Sequence, residues 1–407
     1  MKLSLNPLKG FTDYYPEKYL EKEYVLNILN QISISFGYLY YDGPIIEDTS
    51  LYELKSGKSI VEEAYSFIDR GDRNVTLRPE MTPTLGRMLA SKSVNYKKPI
   101  RWYSIPLIFR NENPQKARQR EFSQFNADII GVSSINSDIE IIDLSMSILR
   151  KLGFNNDDFE IRINSRSIAY KILSEYSSNV SDLIKVIDRK DRLPELEFID
   201  LINKNIKHPK YSNKVIEYLN VIDGNIPDKI LEFINEASKF GLNLVYDPSI
   251  VRGIDYYTGN VFEIWDKKRL IKRAIFGGGR YSDLVSVLGG ESLDAVGIAT
   301  SIEVLLPLIY EYNKIPQLII SYDYFISTFG NIDNSIYSNI ANKLRSKGNS
   351  VLFNVNVDWN LKKQLEFALN IGVKKFIILG EKELKENSFL IKDLKNKIEK
   401  KMLITDI

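Results

Sequence analysis

The chain has 407 residues, 44% of them hydrophobic and 27% charged, with a net charge of +2, one histidine and no cysteine. That length allows two or three domains with cores of their own, and the near-neutral charge excludes a polycation held on nucleic acid over its whole surface. Without cysteine there are no disulfides, thiolate metal sites or cysteine nucleophiles, and His208 by itself builds no multi-histidine metal centre. Catalysis must then rest on arginine, carboxylates, tyrosine, backbone amides and Mg²⁺, the set that serves phosphoryl and nucleotidyl transfer. The apolar runs are strand-length, so no membrane helix is expected. Residues 1–10 lack the apolar core of a secretory signal, and a cytoplasmic location is expected.

Pro16 opens a helical pattern that carries Val25, Ile28, Leu29, Ile32 and Phe36 on one side and stops at Gly37. Short extended pieces follow around Gly43-Pro44, then strands at 64–68 and 74–77 and a helix from Pro83. The alternation over 101–109 predicts a strand, followed by a charged loop, 110–121, and a returning strand, 122–130. A helix is expected over about 138–152 and a strand over 159–163. From 165 to 241 the pattern turns helical and polar, between two strand-rich regions, and reads as an insertion. Strands are expected again at 242–251 and 261–265, then a glycine run, Gly277–Gly279, and a helix over about 293–310. Beyond the linker 313–316, strands at 318–320, 351–355 and 376–379 alternate with helices at 335–347 and 361–371, a small α/β unit. Residues 317–407 hold 14 Lys and Arg against 10 Asp and Glu, so the basic excess lies in the tail, where a polyanion would bind.

Two stretches concentrate chemistry. Arg252-Gly-Ile-Asp-Tyr-Tyr-Thr-Gly259 places a cation, a carboxylate and two phenols within one glycine-bounded loop. The bland reading is a β-connection with a surface tyrosine pair. Phe109-Arg-Asn-Glu-Asn-Pro-Gln-Lys-Ala-Arg-Gln-Arg-Glu-Phe122 gathers Arg110, Lys116, Arg118 and Arg120 among acids, and period-two alternation aims Arg110 and Glu112 to one face. Arginine there pairs with phosphate in a bidentate way that lysine cannot. Its bland reading is a hairpin with a salt-bridged tip. The glycine run has no following Lys-Ser/Thr, so it is not a P-loop, and reads as close backbone approach to a substrate.

Phe109-Arg110-x-Glu112 with Pro114-Gln115-Lys116-x-Arg118-x-Arg120-Glu121-Phe122-x-Gln124 resembles motif 2 of a class II aminoacyl-tRNA synthetase, in its histidyl-tRNA synthetase version. The Arg252–Gly259 stretch resembles that family's histidine-binding signature. Leu77-Arg-Pro-Glu-x-Thr, Gly278-Gly-Arg-Tyr-Ser-Asp-Leu-Val, Lys9-Gly-Phe-x-Asp13 and Gly43-Pro44, the motif 1 proline, also match, in order from residue 9 to about 305. The resemblance implies an α/β (α+β) catalytic domain around a six- to seven-stranded antiparallel sheet, in two parts, 1–165 and 242–312. A helical insertion, 166–241, and an α/β anticodon-binding domain, 317–407, would complete the chain. It implies ATP-dependent ligation of L-histidine to tRNA(His) through a histidyl-adenylate, with ATP and Mg²⁺, by a homodimer whose interface includes the region of Pro44.

By motif position, Arg110 and Arg252 would hold the ATP α-phosphate, Glu112 would sit near the adenine amino group, and Arg118 would reach the terminal phosphates. Glu80, Thr82 and Gln124 would read the amino acid's backbone groups. Asp128, Tyr257 and Tyr281 would surround the imidazole, with Tyr256 beside them. Gln115 and Lys116 would touch the tRNA acceptor end. A pocket built to hydrogen-bond both ring nitrogens rejects apolar analogues by roughly 10⁴–10⁵, so no editing domain is needed.

Three departures stand out. Asp128 replaces a usual Glu, Asn113 and Ala117 replace Arg and Gly, and Val304 replaces the motif 3 arginine expected on the γ-phosphate. Either another cation compensates, with Arg118, Arg273 and Arg280 as candidates, or the chain is a non-catalytic paralogue. Such a paralogue would act as the regulatory subunit of ATP phosphoribosyltransferase, although those subunits generally lack the C-terminal domain.

Overall fold

The computed structural model describes residues 4–54, 63–115, 117–190, 193–220, 226–253, 256–330, 332–356 and 358–406. Its contacts divide the chain into two units, residues 1–14 with 21–315, and residues 15–20 with 316–407.

The first unit is organised by a nine-stranded sheet. Its order is β1 (Leu39–Tyr40), β5 (Ile100–Ser104), β7 (Glu121–Ile130), β12 (Ala295–Ser301), β11 (Phe276–Tyr281), β10 (Asn260–Asp266), β8 (Phe159–Ser165) and β9 (Leu244–Tyr246), with β6 (Leu107–Phe109) joined to β7. The six inner strands, β5 to β8, pair antiparallel. The edge strands β1 and β9 join parallel, which makes the sheet mixed and larger than the six or seven antiparallel strands expected. A separate antiparallel sheet orders β2 (Ile46–Asp48), β4 (Asn74–Leu77) and β3 (Tyr65–Ile68).

Period-two alternation gives the large sheet two unlike faces. On β7, Phe125, Ala127 and Ile129 are buried on one side with Val296 and Ile298 of β12 and Phe262 and Ile264 of β10. Against this face pack Ile139, Ile142, Met146 and Leu149 of α4 (Ile135–Lys151), and Leu305 and Leu308 of α11 (Ile302–Glu311). Val25 and Leu29 of α1 (Pro16–Ser35) join the same core. Burying one such side chain stabilises by about 1.5–3 kcal/mol. Short helices α2 (Thr49–Glu53), α3 (Thr82–Lys92) and α10 (Leu284–Val287) lie on the other face's side of the unit, where Leu85, Leu89, Leu284 and Val285 cluster with Tyr41, Trp102 and Tyr281.

Two expectations are corrected here. Residues 293–310 are not one helix, because Ala295–Ser301 is strand β12 at the sheet's centre. A short run that is apolar at both the inward positions, Val296 and Ile298, and the outward ones, Ala295, Gly297 and Ala299, shows no alternation of hydrophobic and polar residues, so its period does not distinguish strand from helix. The segment 242–251 forms only the three-residue strand β9, after which Pro248 and an Asp247 turn lead away.

The helical stretch α5 (Arg166–Tyr176), α6 (Val180–Ile187), α7 (Glu195–Asn205) and α8 (Ser212–Asn220) has its own core of Leu173, Leu183, Ile184, Phe198, Ile202 and Val215. Its last helix, α9 (Asp228–Ser238), instead places Ile230, Phe233 and Ala237 in the main core.

In the second unit, β14 (Val351–Phe353), β13 (Tyr322–Ile326), β15 (Val373–Ile378), β16 (Ser388–Asp393) and β17 (Ile398–Leu403) form one sheet, parallel up to β15 and antiparallel after it. Helices α12 (Asn334–Ser346) and α13 (Leu361–Asn370) contribute to two different apolar clusters, Tyr337, Ile340 and Leu344 to one and Ala368 to the other. The first strand starts at Tyr322, not at Leu318. Helix α14 (Glu381–Lys385) and the β16–β17 hairpin escaped the sequence reading. Strand β17 is an exposed edge carrying Glu399, Lys400 and Lys401, charges that blunt such edges and hide them from a hydrophobic pattern.

One buried ion pair ties α4 to β11. Arg280 Nε donates to Asp138 Oδ2 at 2.9 Å, and its other nitrogens donate to the carbonyls of Val132 and Ser134 and to Ser137 Oγ. Burial pushes the Asp138 carboxyl up to about 6, against the pull of Arg280. Arg280→Ala leaves that carboxylate without its cation and is expected to lower the urea-unfolding free energy by about 3–5 kcal/mol. A drop under about 1 kcal/mol would remove the pair from the account of stability.

Candidate active site

The sheet's second face is floored by residues with almost no side chain. Gly277 and Gly279 of β11 stand opposite Ala299 and Gly297 of β12, and Gly297 and Ala299 stand opposite Asp128 and Asn126 of β7. The missing β-carbons make the space. One on Gly297 would overlap Asp128 Oδ1, one on Gly277 would overlap the Arg252 guanidinium, and one on Gly279 would stand 3.0 Å from the Tyr257 ring.

Asp128 lies at the base of a buried cluster of polar and aromatic side chains on this face. Its carboxyl is buried, and burial pushes it up to about 7, although Tyr281 pulls it back by donating its hydroxyl to Oδ1 at 2.7 Å. Around the pair stand aromatic rings. Tyr256 lies 4.8 Å from Tyr257 and 5.8 Å from Tyr281, ring centre to ring centre, and Tyr41 packs on Trp102 at 5.5 Å. The Tyr256 hydroxyl donates to Glu80 Oε2 at 3.3 Å and stands 3.5 Å from Thr82 Oγ1, the first residue of α3. Gln124 shares the Asp128 face of β7 by alternation and pairs with Ser301 in register. A carboxylate acceptor at the base and phenols on the walls suit a small polar ring.

The rim is cationic. Arg110 Nε donates to the Pro79 carbonyl at 2.8 Å, and its guanidinium lies 5.4 Å from the Phe122 ring. Glu112 faces Arg118 Nη1 at 2.7 Å and Arg110 Nη1 at 3.9 Å. Arg252 Nη1 donates to Glu263 Oε1 at 2.8 Å, with Tyr257 5.8 Å from its guanidinium carbon. Burial opposes the charge on Arg252, and Tyr257 and Glu263 more than offset it, so its pKa rises above the ordinary value. Its Nε is buried with no hydrogen-bond partner among the described residues. An anion entering this rim gains preorganised donors at little reorganisation cost.

Arg252 holds a left-handed backbone, φ 51°, a conformation costing roughly 1–2 kcal/mol for a residue with a β-carbon. The helical stretch holds it there. Arg166 Nη1 donates to the Arg252 carbonyl at 2.7 Å, the Gly253 amide donates to Asp188 Oδ1 at 2.8 Å, and Val251 belongs to the helices' core. A β-carbon on Gly253 would lie 2.9 Å from the Asp188 carboxylate, which explains that glycine.

The sequence matches the family profile named Histidyl-tRNA synthetase over residues 10–305. The histidine--tRNA ligases of Picrophilus torridus and Leptospira biflexa are 35% and 34% identical to it, across 99% and 97% of this chain and 98% and 94% of theirs. The chain belongs to the histidyl-tRNA synthetase family. Among solved structures, apo S. aureus histidyl-tRNA synthetase is similar in fold, with a TM-score of 0.75 at 25% identity over 99% of this chain and 98% of that one.

Seen as a member of that family, the chain brings Glu80, Thr82, Asp128, Tyr256, Tyr257 and Tyr281 to one cluster, and Arg110, Glu112, Arg118 and Arg252 to its rim. Gln115 lies at the tip of the 110–121 hairpin, its amide bonded to the Arg118 carbonyl at 3.0 Å. Lys116, Ile254 and Asp255 lie outside the described residues. Ala117, where the family's pattern has Gly, adopts φ 60°, the left-handed turn that glycine takes without strain. In the glycine run, the side of Gly277 faces Arg252 and that of Gly279 faces Tyr257. Val304 is buried in the main core, and Arg280 is committed to Asp138, so neither faces the rim cations. Sequence reasoning missed Glu263 and Asp188. An acid inside the apolar strand Val261-Phe-Glu-Ile-Trp was the available signal for the first, while Asp188 is distant in sequence and gave none.

Asp128 gives the ligand-free protein a pH signature. Its folded value, about 7, lies above the unfolded one, 3.8, so between them the native state holds a proton that the unfolded chain has lost. The contribution of Asp128 to stability is therefore greatest below about 4 and falls as pH rises toward 7. Asp128→Asn is expected to flatten the fall in thermal midpoint between pH 5 and pH 8 relative to wild type. Equal slopes in the two proteins would show that the buried carboxyl titrates normally.

Proposed function

We propose that this chain activates L-histidine with ATP, as its Mg²⁺ complex, and transfers the histidyl group to the terminal ribose of tRNA(His). The observation that carries this reading is the Asp128–Tyr281 pair at the base of an aromatic cluster, next to a group of arginines. An imidazole N–H donated to Asp128 would keep that carboxylate ionised, and phenols offer partners to the second ring nitrogen. Glu80, Thr82, Gln124 and Tyr256 would hold the amino acid's backbone groups, with Tyr257 against the ring. Arg110 and Arg252 would take the α-phosphate, Arg118 the terminal phosphates, and Glu112 the adenine side. Gln115 and Lys116 would meet the tRNA acceptor end, and residues 317–407 the anticodon.

The full-length similarity to named ligases supports the synthetase. Val304 favours the alternative of a non-catalytic regulatory subunit, and one assay separates the two. Histidine-dependent ATP–pyrophosphate exchange is expected from wild type and from no other amino acid. Arg252→Ala should lower it by about 10²–10³ with the fold intact. Folded wild-type protein that binds histidine yet exchanges nothing would transfer the assignment to the regulatory subunit.

A homodimer is part of the proposal. Ile45 and Ile46 beside Pro44, and Phe67 and Ile68 of β3, expose 44%, 46%, 45% and 71% of their surface, a concentration of apolar side chains that a second copy would cover. Sedimentation equilibrium should then return twice the chain's 46.9 kDa, and a monomer at micromolar protein would overturn it.

A further inference from the structure

We propose that Arg273 is a catalytic phosphate-binding residue, holding the β- and γ-phosphates of ATP in the place that Val304 leaves without a cation. The inference rests on the synthetase reading for its substrate and on the following geometry for the residue.

Arg273 lies in the connection between β10 and β11, three residues before Phe276. Its Nη1 donates to the Ala117 carbonyl at 3.0 Å, at the tip of the hairpin that carries Arg110 and Arg118. That contact brings a fourth guanidinium to the rim. The other three have carboxylates. Glu112 serves Arg118 and Arg110, and Glu263 serves Arg252. Arg273 has no ion pair within 4 Å among the described residues, and Glu112, whose charge acts on it at longer range, is already held by Arg118. Four cations thus share two acids, and the uncompensated charge sits on a half-buried side chain. Burial, then the like charges of Arg118 and Arg110, hold Arg273 down to about 10, still protonated at neutral pH. Such a group is stabilised by an arriving polyanion, and it has no ion pair to break first.

The two rival candidates are accounted for. Arg280 is used up by Asp138, two carbonyls and a hydroxyl, and Arg118, assigned above to the terminal phosphates, must share its charge with Glu112, so a second cation beside it is still required there. On the α11 side, Val304 is 2% exposed and packed in the main core with Leu305 and Leu308, so that element presents no donor. In the reaction, a histidine carboxylate oxygen forms a bond to the α-phosphorus as the bridging P–O bond to the β-phosphate breaks. Pyrophosphate leaves with the electron pair, and no net proton moves. Arg273 would neutralise the charge growing on that leaving group.

The test is Arg273→Gln, which retains an amide donor for the Ala117 carbonyl while removing the charge. Two measurements are made on the full chain, ATP–pyrophosphate exchange and calorimetric binding of inorganic tripolyphosphate. The expected result is an exchange rate lower by about 10², tripolyphosphate affinity weakened at least tenfold, and a KM for histidine within twofold of wild type. Arg150→Gln, on the exposed side of α4, serves as the control and should change none of these. Wild-type exchange and wild-type tripolyphosphate affinity in folded R273Q would overturn the proposal. If wild type itself fails to exchange, the synthetase reading falls separately. The tripolyphosphate comparison then still decides, and equal affinities would strike out Arg273 as a phosphate ligand.

Discussion

Room is the constraint on which this site depends. Four facing positions on the central strands, Gly277, Gly279, Gly297 and Ala299, carry a hydrogen or a methyl where a sheet would ordinarily raise a wall of side chains. The opposite face of the same strands is close-packed with Phe125, Ile129, Phe262, Val296 and Ile298. One face thus supplies the rigidity, and the other is left low enough for Asp128, Arg252 and Tyr257 to lie flat on the backbone. The glycines weaken the strands intrinsically by about 0.5–1 kcal/mol each, and the packed face offsets this.

Charge is the second organising quantity. At the base, one carboxylate is held in an apolar hollow by a single phenol. At the rim, guanidiniums outnumber acids. A buried carboxyl below and a cationic rim above define an orientation for any ligand that is hydrogen-donating at one end and anionic at the other. The site is therefore polarised before anything enters it.

Much of this was legible in the chain. The two arginine-bearing stretches, the aromatic pair and the order of motifs placed the site, because short-range pattern and chemistry coincide there. What escaped did so for physical reasons. Strand β12 carries small apolar residues on one face and larger apolar ones on the other, so its hydrophobicity does not alternate, and Gly297, inside the expected helix, is the clearance for Asp128. The hairpin β16–β17 is an edge, and its lysines mask the strand. Asp188 acts on Gly253 across 65 residues that no local window spans, whereas Glu263 is marked in the sequence as an acid inside an apolar strand and was passed over. Val304 was visible as a departure, but only packing shows that its side chain is part of the core.

Arg252 is strained, and the restraint on it is borrowed. Val251 sits in the core of α5–α8, and Arg166 and Asp188 fasten the next two residues, so the loop's geometry is as durable as those helices and no more. Proteins open in pieces, and a small satellite core opens before a large one. The first casualty of partial opening would be Arg252, whose left-handed backbone these helices hold. Warmth or mild denaturant would then release the Arg252 loop while the nine-stranded sheet stayed folded, which makes the helical stretch the thermal fuse of that loop.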